Sequence, residues 1–334
     1  MIECIVTIDY EIYGNGEGTL RELVYDPAER LKRIFQKWNA RFVTFIEVAE
    51  LEMIEHQGTD PSIDLVKHQI RDFYREGFEL GLHIHPWWYN ARHKEGRLLL
   101  DYSEYNLCAL PKERIIQIVD RSIAYFQDVL GIADFKPFSF RAGHLLLQPA
   151  RTLASALAER GIKVDSSVYK GGLWHQHKLD YRPALRNGYY WRFTGDTNEP
   201  DPEGILLELP IFTQMVPIWK MLTSKRIGIQ QGASSIAQTG KKILYRLMDF
   251  LRFRYPLKFD LGQMTIEELT CMVDVVIKED QKNPALFKPL VAIVHTKDLV
   301  DSETVESFLT YLKKKGIKIS TFTDVYHKCN FGVG

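Results

Sequence analysis

Short apolar runs alternate with amphipathic stretches along most of the chain, and this rhythm limits the fold more than any other feature. Runs at 2–9, 41–47, 78–85, 137–141, 164–168, 205–209, 290–295 and 317–320 have the length of strands. Several are apolar throughout rather than alternating, as in strands buried on both faces of a parallel sheet covered by helices. Between them the spacing predicts helices. Leu31, Ile34, Phe35 and Trp38 form one stripe after Asp26-Pro27-Ala28-Glu29, where Asp26 is placed to cap and Pro27 to take the first helical position. Ile115, Val119, Ile123, Phe126 and Leu130 form another over 111–130. Helices are also expected at 149–160, at 302–314 and at 265–280, the last opened by a capping box of Thr265 and Glu268.

The 334 residues, 45% of them hydrophobic, suit a single large domain over 1–334. Residues 169–204 are rich in Gly, Pro, Asn and aromatics and read as an irregular insertion; 216–256 is basic and apolar and reads as helical. Forty-three basic residues balance 43 acidic ones, so no net field attracts nucleic acid. Gly14-Asn15-Gly16-Glu17-Gly18 precedes no helix and lacks a following lysine, which argues against a nucleotide loop. Cys4, Cys108, Cys271 and Cys329 include no CxxC pair and read as reduced thiols. The opening MIECIVTIDYE carries Glu3 and Asp9 inside a strand, so neither a signal peptide nor a spanning segment is expected. A cytoplasmic protein without stable membrane insertion is the expectation, with a membrane-surface helix over 241–258 as the competing reading. Homo-oligomer formation is left open.

A barrel of parallel strands has its site at the strands' C-terminal ends. Polar residues gather there. The first strand ends in Asp9 and Glu11, the second at Glu47, the third in His83 and His85, and the fourth in Arg141 before Ala142-Gly143-His144. The fifth carries Asp165, Ser166 and Ser167, and a late strand ends in His295, followed by Lys297 and Asp298. Carboxylates, imidazoles and a guanidinium at successive strand ends point to metal-assisted or general acid–base chemistry. His83 and His85 are two apart, so on a regular strand they face the same way. Trp87, Trp88, Tyr89 and Trp174, with Tyr189, Tyr190 and Trp191, fall beside the histidines or in the irregular insertion, where ring faces could stack on a sugar.

The order of these segments resembles the polysaccharide deacetylase family, the NodB-type carbohydrate esterases. TIDYE at 7–11, TFIE at 44–47, ELGLHIHPW at 79–87, FRAG at 140–143, VDSSV at 164–168 and VHTKDL at 294–299 carry the likeness. It implies an α/β fold, a distorted (β/α) barrel of about seven parallel strands with flanking helices. It also implies a divalent metal, usually zinc, and removal of N-acetyl groups from a carbohydrate substrate. By position, Asp9 is the general base, Glu11 the carboxylate ligand, His83 the first metal histidine and His295 the general acid. Arg141 orients the base, and Asp165 holds a neighbouring side chain. The family's second metal histidine stands four residues after the first, where this chain has Trp87. His85 then becomes the expected second ligand, with His144 or His93 as alternatives. His144 is otherwise expected in the substrate cleft with Trp87, Trp88, Tyr89 and Trp174. The competing function is an inactive NodB-like carbohydrate-binding protein.

Overall fold

The computed structural model describes residues 1–94, 97–217, 219–220, 254–299 and 301–329. In chain order its strands are β1 (Ile2–Tyr10), β2 (Val43–Glu47), β3 (Glu79–Ile84), β4 (Arg92–Lys94), β5 (Arg97–Leu99), β6 (Ser139–Ala142), β7 (Val164–Asp165) and β8 (Leu173–Trp174). There follow β9 (Leu179–Asp180), β10 (Trp191–Phe193), β11 (Leu206–Glu208), β12 (Thr213–Pro217), β13 (Arg254–Lys258), β14 (Lys288–His295) and β15 (Lys318–Ile319).

One mixed sheet dominates, in the order β10-β11-β7-β6-β3-β2-β1-β14, with β15 also on β1. Every pairing in it is parallel except β10 with β11. The sheet curls round, and single parallel bridges from Ile211 to Tyr169 and to Val291 join the extension of β11 to β14. Seven parallel staves thus make a distorted (β/α) barrel with flanking helices, closed by isolated bridges where a full ladder is absent. A further bridge, Asp260 to Ile293, occupies the upper part of the same gap.

Alternation along the strands separates two cores. On β1, Cys4, Val6, Ile8 and Tyr10 face outward into the large core shared with the helices. Ile5 turns inward and packs with Val43, Phe45, Val164, Leu207 and Val291 inside the barrel. Gly81 makes room for this filling, because a Cβ there would lie 2.6 Å from the Phe45 ring. The floor is plugged by Phe322 and Val325 of the short helix Phe322–Tyr326. Two carboxylates seat that plug. Glu79 accepts from Thr323 N (2.8 Å), and Glu3 from Ser320 Oγ and Lys328 Nζ (2.6 Å each).

The expected helices stand at Asp26–Lys37, Lys112–Leu130, Arg151–Glu159, Ile266–Lys282 and Ser302–Lys314, and the Thr265–Glu268 capping box is present. Asp26 does not cap, because a helical turn at Arg21–Tyr25 runs directly into its helix. Two further helices, Val48–Gln57 and Ile63–Arg75, stand where no element is expected above. The first buries Val48, Ala49, Glu50, Leu51, Met53 and Ile54, so no single apolar stripe marks it. The ends of the expected helical segment 216–256 are instead strand. Residues of β12 and β13 pair antiparallel, with Val216 opposite Tyr255. The stretch between, 221–253, lies outside the described residues, as does most of the basic 241–258 run. Among the described residues no helix is long and apolar enough to cross a membrane.

Candidate active site

Register brings the polar strand ends to one level. Asp9 on β1 lies beside His295 on β14, Glu47 on β2 beside His83 on β3, and His83 beside Arg141 on β6. On β1, β2 and β14, Asp9, Glu47 and His295 share the inward parity of Ile5, Phe45 and Val291. The alternation that packs the barrel therefore also aims the chemistry into its mouth.

Arg141 is fully buried and organises one half of the site. Its Nη1 is 2.5 Å from Asp9 Oδ1, its Nε donates to Ser166 O (2.9 Å), and its Nη2 to Ser166 Oγ (3.1 Å). The guanidinium also lies 4.2 Å over the Phe45 ring. Burial disfavours a charged Asp9, but Arg141, His295 and His83 outweigh it and hold the carboxyl below the ordinary aspartate range. The other oxygen of Asp9 is 3.4 Å from His295 Nε2. His295 Nδ1 faces Asp298 Oδ2 at 3.8 Å, an ion-pair contact without a hydrogen bond.

The second half joins Glu11, Glu47, His83 and His85, whose ligand atoms all lie within 4.8 Å of one another. Glu11 Oε2 is 3.5 Å from His83 Nε2 and 3.3 Å from His85 Nδ1. Two donors on a tetrahedral zinc, each about 2.0–2.1 Å from the ion, would be about 3.4 Å apart. His83 Nδ1 is held by Arg141 O at 2.8 Å, which leaves Nε2 facing the centre. His85 is engaged on both sides. Its Nδ1 is 2.6 Å from Glu47 Oε2, and its Nε2 accepts from His144 N at 3.2 Å. To ligate through Nδ1 it must shift its proton to Nε2 and give up the bond from His144. Glu11 and His83, with Glu47 or His85 completing the set, can hold a divalent cation.

The Phe140–Gly143 segment explains that second grip. A Cβ at Gly143 would come within 2.6 Å of the His85 ring and of Ile84 O. His144 and Leu145, at φ 52° and 60°, are held in the left-handed region, at a cost of about 1–3 kcal/mol each, and this turn directs the His144 N–H at His85.

A cation already touches this centre. Lys297 Nζ is 2.6 Å from Glu11 Oε1 and 3.2 Å from Ile12 O, on a side chain only 15% exposed. Burial opposes the charge on Glu11, but Lys297, His85 and His83 hold its carboxyl well below the usual range. Burial likewise works against a charged His83, yet Glu11 and Asp9 lift it to about 9. For His85 burial wins, and the imidazole falls to about 3. Burial pushes Glu47 up to about 8.

These shifts set a pH dependence. Glu47 and His83 both have folded pKa values above their unfolded ones. Each therefore contributes stability that is complete below the unfolded value and lost as pH rises through the folded value. Their windows overlap between the ordinary histidine pKa and about 8. Across that interval the metal-free protein is expected to lose about 2–4 kcal/mol of unfolding free energy. Denaturant titrations at constant ionic strength check this, and a flat or rising stability refutes it.

Asp165 is buried beneath the site and acts at one remove. It accepts from Ser167 N (2.8 Å) and Ser167 Oγ (3.0 Å), and Ser167 Oγ in turn accepts from Ala142 N (2.8 Å), next to Arg141. Its register partner on β11 is Glu208, a buried carboxyl that no sequence motif marks.

The aromatic residues divide. Trp174 and His144 line a cavity of about 360 Å³ at the barrel mouth, with Tyr169, Lys258, Asp260 and His295. Trp87, Trp88 and Tyr89 do not line it. Pro86 starts a 3-10 turn, Pro86–Asn90, that ends the strand alternation and folds all three rings into the core. Trp87 stacks on Tyr105 and His144, and Tyr89 shares a hydrogen bond with Ser122. The expectation that these three offer open faces to a sugar is therefore corrected. His93, on β4, is exposed and is absent from the carboxylate–histidine cluster. Glu47 and Lys297 are the contacts missing from the expected site. The inward parity of Glu47 was readable; the reach of Lys297 across 286 positions was not.

The fold is a NodB-like deacetylase fold. No model of a known protein family matches the chain, and no curated protein sequence matches it. Solved structures do. The chain is similar to a Mycobacterium smegmatis protein assigned as a polysaccharide deacetylase, with 14% identity, a TM-score of 0.52, and coverage of 98% of this chain and 89% of that one. It is similar to the PuuE allantoinase, with 13% identity, a TM-score of 0.54, and coverage of 99% and 92%. A GH57-type branching enzyme from Pyrococcus horikoshii is similar at 10% identity and a TM-score of 0.56, over 99% of this chain and 71% of that one. At such identities the likeness is one of fold.

Proposed function

We propose that this protein is a metal-dependent amide hydrolase that removes an N-acetyl group from a sugar or sugar-linked intermediate. The observation that carries the reading is the meeting of Asp9, Arg141 and His295 with Glu11 and His83 at one barrel mouth. The relatives in fold include a protein assigned to polysaccharide deacetylation and an allantoinase, which supports amide chemistry. A divalent cation held by Glu11, His83 and Glu47 or His85 would make water more acidic and polarise the amide carbonyl.

Asp9 remains ionised and takes the proton of the attacking water through Oδ2, while Arg141 fixes Oδ1. His295 then delivers a proton to the departing nitrogen, with Asp298 facing its Nδ1 from the far side. The His83 Nδ1–H bond to Arg141 O joins the two halves of the site. Trp174 and His144 receive the sugar in the mouth cavity.

His83→Ala is expected to lose zinc or cobalt binding and acetate release from N-acetylated sugars together. Metal analysis after dialysis and an acetate assay check this; retention of both refutes the role of His83. Wild-type protein that takes up no zinc or cobalt after chelation would favour the carbohydrate-binding alternative.

A further inference from the structure

Lys297 places a largely buried ammonium at the proposed metal centre. It stands in the turn Thr296–Asp298 directly after β14. Thr296 Oγ1 fastens that turn to Asp9 O and Glu11 O, both at 3.4 Å. Its Nζ then binds Glu11 Oε1 at 2.6 Å and Ile12 O at 3.2 Å. The lysine therefore takes one oxygen of Glu11 and leaves the other, Oε2, to face His83 and His85.

Two charge pairs in this mouth are already made, Arg141 with Asp9 and Lys297 with Glu11. A divalent cation seated at Oε2 would lie one carboxylate's width from the ammonium, in a site with little water to screen the repulsion. We propose that Lys297 is a positioning residue that fixes Glu11 as a one-oxygen ligand and sets the centre's affinity for divalent cations low. The proposal rests on the hydrolase reading only in taking this cluster as the metal centre.

Lys297→Met keeps the aliphatic stem and removes the charge. It is expected to bind zinc ~100-fold more tightly than wild type in competition with a chromophoric chelator, as loss of a close like charge requires. Lys297→Arg retains the charge and is expected to stay within a few-fold of wild type. Metal-free Lys297→Met leaves Glu11 without its counter-ion, so its Tm is expected to be lower and to rise more on adding zinc than that of wild type. Equal zinc affinity in wild type and Lys297→Met, a matching gain in Lys297→Arg, or a Met variant that zinc does not stabilise would each overturn the role of the lysine. Adding His83→Ala to Lys297→Met separates the two ideas. If zinc binding is undiminished, the ion sits elsewhere, and the metal centre of the hydrolase reading fails as well.

Discussion

Asp9→Asn is expected to lower kcat by about 10³-fold or more while zinc content stays at the wild-type level. Loss of a general base accounts for about 10²–10⁴ in rate. Metal binding survives because Asp9 is not among the clustered ligand atoms of Glu11, Glu47, His83 and His85. The fold survives because the asparagine carbonyl can still accept from Arg141 Nη1, now 2.5 Å from Asp9 Oδ1, at a cost of about 1–3 kcal/mol. Steady-state kinetics beside metal analysis tests this. A variant with kcat within a few-fold of wild type would remove Asp9 from the chemistry.

Arg141→Met should have the largest effect on stability. The guanidinium is the sole counter-ion in direct contact with Asp9 Oδ1 among the described residues, and both groups are buried. Its removal leaves buried Asp9 with His295 alone in contact, at 3.4 Å from its other oxygen, and is expected to cost about 3–5 kcal/mol. Asp9→Asn in the same background should recover much of that loss, because the buried charge is gone. Denaturant unfolding of the two single variants and the double variant measures the coupling. Strictly additive losses would mean that the two side chains stabilise the fold independently.

Much of this architecture is written locally. Period-two alternation on β1 and β3 places Asp9 with Ile5, and His83 with Gly81, on the inner face, so the polar rim was readable as strand ends. What local pattern does not carry is what happens once a strand stops. Trp87 to Tyr89 follow Pro86 into a 3-10 turn, where alternation no longer tells inside from outside, and the rings fill the core. Glu47 caps the following helix through Glu50 N while its other oxygen meets His85, two roles that a single position in a sequence cannot announce. Lys297 meets Glu11 only when β14 docks on β1, and Asp165 meets Glu208 only when β11 docks on β7.

That closure has a consequence for biosynthesis. β1 shares eight residue pairings with β14, from Ile2 with Lys288 to Asp9 with His295. A ribosome adds ~5–20 residues per second, so the first strand waits on the order of tens of seconds for its neighbour to be made. During that time one flank of an apolar strand stays without a partner, an invitation to aggregation that nascent-chain chaperones exist to manage. Asp9 and His295, the proposed base and acid, sit on these two strands, so no shorter nascent chain brings them together. The polar mouth is complete only once β14 has docked on its neighbours.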